Sequence, residues 1–228
     1  MELATSSTTS LTNEMHFEDW GLIDYQQALE KQTEYVQKVA GDESHPGYLI
    51  FCSHPAVVTT GRQTQADDIF AWDGPVIEVS RGGRATYHGP SQVVVYPILN
   101  LKKPRNGRVS QEIRGFIRAI EQAIVLTLKK YGIESHGKTV NASESSSLED
   151  TGVWVNDKKI ASLGIAVRKW ISFHGAAINV SHDEKAFFGL NPCGYKSSTM
   201  TSLEAVLQKE ICISEFKNIL KDNFLKSL

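Results

Sequence analysis

Cysteine is scarce in this chain, and its spacing excludes several classes of protein. The 228 residues contain three cysteines, Cys52, Cys193 and Cys212, and no CxxC pair. An odd number without paired spacing argues against a disulfide framework, and the missing CxxC removes the usual signature of a zinc or redox site. We therefore expect a reducing compartment, the cytoplasm, in which each thiol stays free.

Long hydrophobic runs and an excess of one charge are also missing. The apolar stretches have the length of strands and fall far short of the roughly 20 residues that a membrane-spanning helix needs. The 24 basic and 26 acidic residues give a formal net charge of −2. Without a polybasic surface, neither nucleic acid nor a membrane is expected as a partner.

The first fifteen residues contain no arginine and no apolar stretch of the kind that a signal peptide carries. This Ser/Thr-rich segment, residues 1–15, is predicted to be a disordered tail rather than a secretory signal or a mitochondrial presequence. Residues 16–228 are predicted to form a single domain with a full hydrophobic core, although their number would also allow two domains.

Helical spacing of apolar residues predicts four helices. Asp24 and Gln27 form a capping box at the start of the first, and the second is predicted over residues 110–131. Thr201 and Glu204 form a capping box for the third. The last is predicted to start at residue 214.

Strand-like segments are mixed with these helices along the chain. We predict a surface loop over 142–151 and strands at 48–53, 57–60, 76–80, 93–101, 152–155, 158–167 and 172–180. Asn156 and Asp157 separate two of these strands and predict a hairpin turn. Because strands and helices do not alternate strictly, the fold class is predicted as α/β (α+β), a mixed β-sheet flanked by helices.

Cys193 lies between Pro192 and Gly194, two residues that interrupt strands and favour tight turns. A lone cysteine is most often a buried structural residue, and we keep that interpretation for Cys52 and Cys212. The turn makes Cys193 a candidate nucleophile instead, because rigid scaffolds present reactive groups on such segments.

Lys159 follows the predicted hairpin turn, where a lysine is ordinarily solvated. Close to a cysteine it would have a second role, because the thiolate is the nucleophile and a thiol with an ordinary pKa of about 8.5 is mostly protonated at neutral pH. Lowering such a pKa by about 2 units requires about 2.7 kcal/mol. An ammonium about 4 Å away contributes up to about 4 kcal/mol at an effective dielectric of about 20, so one lysine suffices.

The segment RGGRATYH, residues 81–88, is a glycine-containing loop that allows close approach of its backbone to a ligand. It resembles a phosphate-binding loop only superficially, because the GxxxxGK[ST] pattern and a following helix are missing. His88 and His174 each precede a glycine, and each is either a structural histidine or part of a site.

Four segments, RGGRATYHGPSQ (81–92), KIASLG (159–164), SFHGAAINV (172–180) and NPCGY (191–195), occur in the order typical of one family. The chain resembles the lipoyl(octanoyl) transferases, from about residue 21 to residue 203. Members of this family move an octanoyl group from acyl carrier protein to a lysine of lipoyl domains, the first step of endogenous protein lipoylation. The resemblance implies the fold that lipoate and biotin protein ligases share.

By this resemblance Cys193 forms an acyl thioester, or carries a lipoyl group in the same way, and Lys159 favours its thiolate form. The substrate-binding residues that it implies are Arg81, Gly82, Gly83, Arg84, Ala85, Thr86, Tyr87, His88, Ser162, Leu163, Gly164, Gly175, Ala176 and Ala177. Octanoyl-acyl carrier protein is the expected donor, and the expected acceptors are the lipoyl domains of 2-oxoacid dehydrogenases and the glycine cleavage H protein. No metal or cofactor is expected.

Ser91 departs from the family pattern, which usually has HGPGQ where this chain has HGPSQ. If this position requires a positive φ, a serine there would be strained. Two alternatives to a transferase remain. An ATP-dependent lipoate or biotin ligase of the same fold would not need Cys193, but the chain lacks a GRGRxxR-like adenylate loop. A module that only binds lipoyl domains would need neither Cys193 nor Lys159.

Overall fold

The computed structural model describes residues 15–105, 108–139 and 151–228. The predicted tail and the predicted loop at 142–151 therefore lie outside the described residues, apart from their last residues. Of these, Met15 is buried against the hydrophobic core.

In the described ranges, ten strands form two sheets. In chain order they are β1 (His16–Leu22), β2 (Tyr48–Ser53), β3 (Val57–Thr60), β4 (Val76–Glu78), β5 (Thr86–His88), β6 (Gln92–Ile98), β7 (His136–Gly137), β8 (Gly152–Val155), β9 (Lys158–Arg168) and β10 (Ile171–Asn179). The large sheet has the order β1-β2-β6-β10-β9-β8-β7, with β1 parallel to β2 and the other pairs antiparallel. The small sheet has the order β4-β3-β5. β6 and β10 are buried along their whole length at the centre of the large sheet.

Helices cover both faces of the large sheet. They are α1 (Tyr25–Gly41), α2 (Ile113–Lys130), α3 (Leu203–Leu207) and α4 (Ile213–Ser227). α1 packs on one face through Ala28, Val36 and Val39. α2 and α4 pack against each other and on the opposite face, where Phe116 and Phe224 are fully buried. This arrangement confirms the predicted mixed sheet flanked by helices.

Most helix and hairpin signals in the sequence act as predicted. The Asp24 carboxylate accepts hydrogen bonds from the backbone N–H groups of Gln26 and Gln27 at 2.9 and 3.1 Å, which caps α1. Gly132, with φ +76°, follows the end of α2. Asn156 adopts φ +51° between β8 and β9, as a two-residue hairpin turn requires.

The predicted capping box at Thr201 and Glu204 is wrong. Ser202 caps α3, because its hydroxyl oxygen accepts a hydrogen bond from the Ala205 N–H at 3.2 Å. The Thr201 N–H instead donates to the backbone oxygen of Lys159 at 3.0 Å, which holds this residue against β9. The chain turns into the helix one residue later than predicted.

Ser91 adopts no left-handed conformation, so the suspected strain is absent. Its backbone oxygen accepts hydrogen bonds from the N–H groups of Val180 and Ser181 at 3.2 and 3.0 Å. Its hydroxyl donates to the Asp183 carboxylate at 3.3 Å. The serine is therefore compatible with the loop, which it ties to the end of β10.

Candidate active site

Cys193 is presented by a short 3₁₀ turn, Pro192–Gly194, with φ +56° and ψ 25°. A residue with a Cβ rarely adopts this left-handed conformation, so the surrounding structure must hold it. The Cys193 N–H donates to the backbone oxygen of Ala85 at 2.8 Å, and the Asn191 N–H donates to that of Asp68, also at 2.8 Å. These two bonds fasten the turn to the loop that precedes β5 and to residue 68.

Lys159 lies near the start of β9 and is only 1% exposed, so the ordinary solvated state of a hairpin lysine does not apply. Its Nζ lies 5.5 Å from the ring centroid of Trp154 and 5.6 Å from that of Tyr195, at which distances a ring attracts a cation. Gly152 leaves space for the side chain, since a Cβ there would lie 2.5 Å from Lys159 Cε. The ammonium is thus held in place by its surroundings.

One cavity contains both residues. It encloses about 550 Å³ of empty space, part of it open to solvent. Within it, Cys193 Sγ lies 3.8 Å from the hydroxyl oxygen of Ser162. The other predicted site residues that line this cavity are Arg81, Gly83, Arg84, Thr86, His88, Leu163, Gly164, Gly175, Ala176 and Ala177.

Three predicted substrate-binding residues do not line the cavity. The Gly82 N–H donates to the backbone oxygen of Ile165 at 3.1 Å, which fixes the loop to β9. Ala85 is buried and accepts the hydrogen bond from Cys193. Tyr87 faces the other way, where its hydroxyl donates to Asp183 at 3.4 Å.

Five further residues line the cavity that the sequence did not indicate as substrate-binding: Tyr25, Val94, Tyr96, Thr151 and His174. Tyr25 and Val94 look like core residues of a helix and a strand in the sequence. For His174, the sequence supports two interpretations, a structural residue or part of a site. The glycine that follows it is the feature that indicates a site.

Arg81 fastens the backbone of the glycine loop. Its guanidinium donates to the backbone oxygens of Gly82 and Arg84 at 3.0 and 2.8 Å. It also donates to the backbone oxygen and the hydroxyl of Thr59, both at 2.8 Å. Burial lowers the pKa of Arg81 from its usual value. The terminal nitrogens of Arg81 therefore bind protein groups, mainly backbone carbonyls, and these bonds make the loop rigid.

Arg84 links this loop to the reactive turn. Its Nε donates to both carboxylate oxygens of Asp68 at 3.0 and 3.1 Å, and a terminal nitrogen lies 2.5 Å from the same group. The Asp68 side chain is completely buried. A Cβ on Gly194 would lie 2.6 Å from the Arg84 guanidinium, so the arginine packs directly against the turn.

Neutral aromatic and histidine side chains form part of the cavity wall. The Tyr25 ring stacks on His88 with a centroid distance of 5.4 Å and an interplanar angle of 24°. Burial raises the pKa of Tyr25 to about 12. Burial, and secondly the charge of Arg81, lowers the pKa of His174 to about 3. Both groups are uncharged at neutral pH.

The other two cysteines lie outside the cavity. Cys52 is buried in β2, and this burial raises the pKa of its thiol far above the ordinary value. Cys212 was interpreted as a structural residue, but it is exposed at the start of α4. A hydrogen bond with Ser214 lowers its pKa. Of the three thiols, Cys193 alone lines the cavity.

Within the described ranges, no cluster of three or more His, Cys, Asp or Glu side chains is arranged to hold a metal ion. In the same ranges, no helix has the length and apolar character needed to cross a membrane.

Comparison with known proteins shows the family of the chain. The model of the lipoyl protein ligase A/B catalytic domain matches residues 24–225. An octanoyltransferase of Bdellovibrio bacteriovorus is 55% identical over 215 residues, which cover 93% of this chain and 98% of that relative. The chain belongs to the octanoyltransferase family. The predicted family and the predicted class of enzyme, an acyltransferase, are both confirmed.

Solved structures of low sequence identity share the fold. A lipoate protein ligase studied with its E2 lipoyl domain, from Thermoplasma acidophilum, superposes with a TM-score of 0.61 at 18% identity, covering 93% of this chain and 84% of the other. A biotin protein ligase of Aquifex aeolicus, in complex with biotin and ATP, gives a TM-score of 0.53 at 12% identity, covering 93% and 69%. The predicted relation to the lipoate and biotin ligase fold is therefore confirmed, and it concerns the fold alone.

Proposed function

We propose that this octanoyltransferase carries the acyl group as a thioester on Cys193 and delivers it to a lysine of a lipoyl domain. Octanoyl-acyl carrier protein is the proposed donor. The observation that supports the proposal is that the one thiol in the cavity lies on a fixed turn, in a cavity that it shares with the buried ammonium of Lys159.

In the first half-reaction, the Cys193 thiolate attacks the thioester carbonyl of the donor. A carbon–sulfur bond to Cys193 forms, and the tetrahedral oxyanion then expels the carrier thiolate, which takes up a proton. Lys159 acts as the counter-charge of the Cys193 thiolate, because an ammonium close to a thiol favours its ionised form. No general-base relay is required.

The oxyanion needs hydrogen-bond donors, and β10 is a poor source of them. This strand pairs with β6 and β9 at Ala176 and Ala177, so its N–H groups are used within the sheet. On β9, pairing with β8 ends at Gly152 and Ser162. Leu163 and Gly164 lie beyond that pair, so this segment is paired with β10 on one side and extends along the cavity on the other, and we assign the oxyanion to it together with Lys159.

In the second half-reaction, the neutral amine of the acceptor lysine attacks the Cys193 thioester. A carbon–nitrogen bond forms, the carbon–sulfur bond breaks, the amine loses a proton and the Cys193 thiolate is restored. The exchange of a thioester for an amide is downhill, so neither ATP nor a metal is needed. Cavity walls of Val94, Leu163 and Ala177 suit an apolar chain, whose burial contributes roughly 5 kcal/mol for eight carbons.

The proposed acceptors are the lipoyl domains of 2-oxoacid dehydrogenases and the glycine cleavage H protein, and the proposed compartment is the cytoplasm. A free thiol that must stay reduced to work fits such a compartment. The relation to ligases of the same fold makes lipoyl-type domains the natural class of acceptor.

Intact-mass analysis tests the thioester. After incubation with octanoyl-carrier protein, the enzyme should gain one octanoyl group, and peptide mapping should locate it on Cys193. Cys193→Ala should lose the adduct and the turnover, whereas Cys52→Ala and Cys212→Ala should keep both. An adduct on another residue, or full activity of Cys193→Ala, would contradict the assignment.

A second experiment separates transferase from ligase, because the shared fold does not distinguish the two chemistries. Octanoyl-carrier protein and an apo lipoyl domain should yield a modified lysine with EDTA present and nucleotide absent. Free octanoate with ATP and Mg²⁺ should yield none under matched conditions. The opposite pattern would favour the ligase.

A further inference from the structure

Residues that line the cavity carry buried polar atoms that the described residues leave without a hydrogen-bond partner. These atoms are Arg81 Nε, Thr86 Oγ1, His88 Nδ1 and both ring nitrogens of His174. His174 is 2% exposed. Buried polar atoms in proteins are nearly always partnered, so a group of unpartnered ones in a cavity calls for a functional explanation.

The backbone places His174 in an unusual way. It lies in the central strand β10 but adopts φ +57°, a left-handed conformation that a histidine rarely takes in a strand. Its N–H donates to Gln32 Oε1 of α1 at 2.8 Å instead of to a neighbouring strand. The rings of Phe173 and His174 lie 4.8 Å apart, although consecutive side chains of a regular strand point to opposite faces. The irregularity puts the imidazole in the wall of the cavity.

Along β9, the spacing between the residue that contacts Cys193 and the residue that pairs with His174 matches the length of the acyl chain. Cys193 contacts Ser162, and His174 pairs with Ile165, three residues further along β9. Three strand residues span about 10 Å. The seven carbon–carbon bonds of an octanoyl chain, each about 1.5 Å long and staggered, span roughly 9 Å. A chain attached to Cys193 and extended along β9 would therefore end at His174.

We propose that His174, together with His88, forms a polar end wall that limits the acyl chain to about eight carbons. An additional methylene would have to press against ring nitrogens that need a hydrogen-bond partner, and a methylene offers none. His174 is thus a specificity-determining residue of the transfer. This proposal rests on the proposed acyl cavity and adds the feature that closes it.

The test compares kcat/KM for decanoyl- and octanoyl-carrier protein, using the full chain. The wild-type enzyme should prefer octanoyl at least tenfold, as expected when about two methylenes find no space. His174→Ala should raise the decanoyl-to-octanoyl ratio about tenfold by opening the wall. His174→Gln, which keeps a polar side chain of similar length, should keep the wild-type ratio.

Phe173→Ala is the matched control, because it removes a neighbouring ring that does not line the cavity. It should leave the ratio unchanged. An equal rise in this variant would mean that general loosening relaxes specificity, and the proposal would be wrong. A wild-type enzyme that uses both donors equally well, or a ratio unchanged in His174→Ala, would also overturn it.

Competition on the wild-type enzyme keeps the proposal testable if His174→Ala does not fold. Equal amounts of the two donors should give a Cys193 adduct that is predominantly octanoyl, as read by intact mass, whereas equal adducts would refute the end wall. This outcome is distinct from failure of the proposed function, in which neither donor would leave an adduct on Cys193.

Discussion

Lys159 is held almost entirely out of water, whereas an ammonium group ordinarily stays solvated. A buried charge is destabilising unless charged or polar neighbours compensate it. The aromatic rings of Trp154 and Tyr195 contribute part of that compensation. The thiolate of Cys193 would also contribute, and the desolvation that disfavours the lysine strengthens its attraction for the thiolate.

We predict that Lys159→Met slows the alkylation of Cys193 at neutral pH about tenfold or more, because the thiolate loses its counter-charge. Octanoyl transfer at neutral pH should fall about tenfold or more while the fold persists. The experiment belongs in a Cys212→Ala background, since the exposed Cys212 thiol has a lowered pKa and would also react.

Lys158→Met is the control for this experiment. Its position is adjacent, but the Lys158 side chain is exposed and donates to the backbone oxygen of Ser198. The rate of Cys193 alkylation at neutral pH should stay at the wild-type value in this variant. If it also stays there in Lys159→Met, Lys159 has another role, such as binding the donor.

Ser91→Gly should destabilise the protein by a few tenths to about 1 kcal/mol, because glycine loses more backbone entropy on folding and no left-handed conformation is relieved. Urea unfolding measures the difference. Ser91→Ala separates the causes: it removes only the hydrogen bond to Asp183 and should cost less than glycine. A glycine variant more stable than wild type would contradict the observed backbone.

At the scale of elements, the active site depends on how three loops are joined. Asp68 accepts hydrogen bonds from Arg84 through its side chain and from Asn191 through its backbone. It therefore connects the segment after β3, the glycine loop and the turn that carries Cys193. The position of the thiol is set by a residue that does not line the cavity.

Asp68→Ala should destabilise the fold by about 3–5 kcal/mol, since it leaves the Arg84 guanidinium without its buried carboxylate. Octanoyl transfer should fall even where the variant is folded, because the Arg84 guanidinium that packs against Gly194 of the turn loses its carboxylate partner. Asp67→Ala is the matched control: this side chain is 78% exposed, and its loss should change stability by less than about 0.5 kcal/mol. Thermal melts and turnover of both variants test this prediction. Equal losses of stability and turnover in Asp68→Ala and Asp67→Ala would contradict the role of Asp68.

The sequence predicts the strands of the core well, because runs such as YLIFCS and VVVYPI are apolar and β-branched along most of their length. β1 was not predicted. Its residues HFEDWGL are mostly polar and partly exposed, and they become a strand only through parallel pairing with β2, more than 30 residues away. Strand propensity calculated over a short stretch of sequence carries no information about such a distant partner.

A similar limit applies to the site. Each of the reactive segments is visible as a motif, and the 3₁₀ turn at Cys193 follows from the Pro-Cys-Gly sequence. The burial of Lys159 is not visible, since it depends on Gly152 and on two rings from other segments. The left-handed backbone of His174 is not visible either, and the N–H group there bonds to Gln32, which lies more than 140 residues earlier in the chain.

For the molecule as a whole, three buried histidines set the response to acid. Burial lowers the pKa of His54, His88 and His174, in the last case to about 3. In the unfolded chain each has a pKa near 6.5. The folded state is therefore fully stable with respect to these groups above about pH 6.5. As the pH falls below that value its stability decreases, because the histidines bind protons in the unfolded chain but stay neutral in the folded one.

Each of these histidines should lower the free energy of unfolding by up to about 1.4 kcal/mol per pH unit below about pH 6.5, and the three together by up to about 4. Glu121, whose pKa is raised by burial, acts in the opposite direction at lower pH. Urea unfolding between about pH 7.5 and pH 5.5 should show the slope. His174→Gln should reduce the dependence of the unfolding free energy on pH by up to about 1.4 kcal/mol per pH unit, which corresponds to one proton. An unchanged slope would contradict a neutral buried His174.

The central pairing of the large sheet has a consequence for how the enzyme reaches its native state. Val95 of β6 pairs with Ala176 of β10, about 80 positions later in the chain. Sheets built on such distant pairs fold slowly, in milliseconds to seconds, because a long loop must close before the contacts form. During synthesis, the edge of β6 that pairs with β10 stays unpaired until β10 has been made. The turn that carries Cys193 is made after β10. The acyl cavity is therefore completed late, and the nascent chain is exposed to aggregation before it can bind its donor.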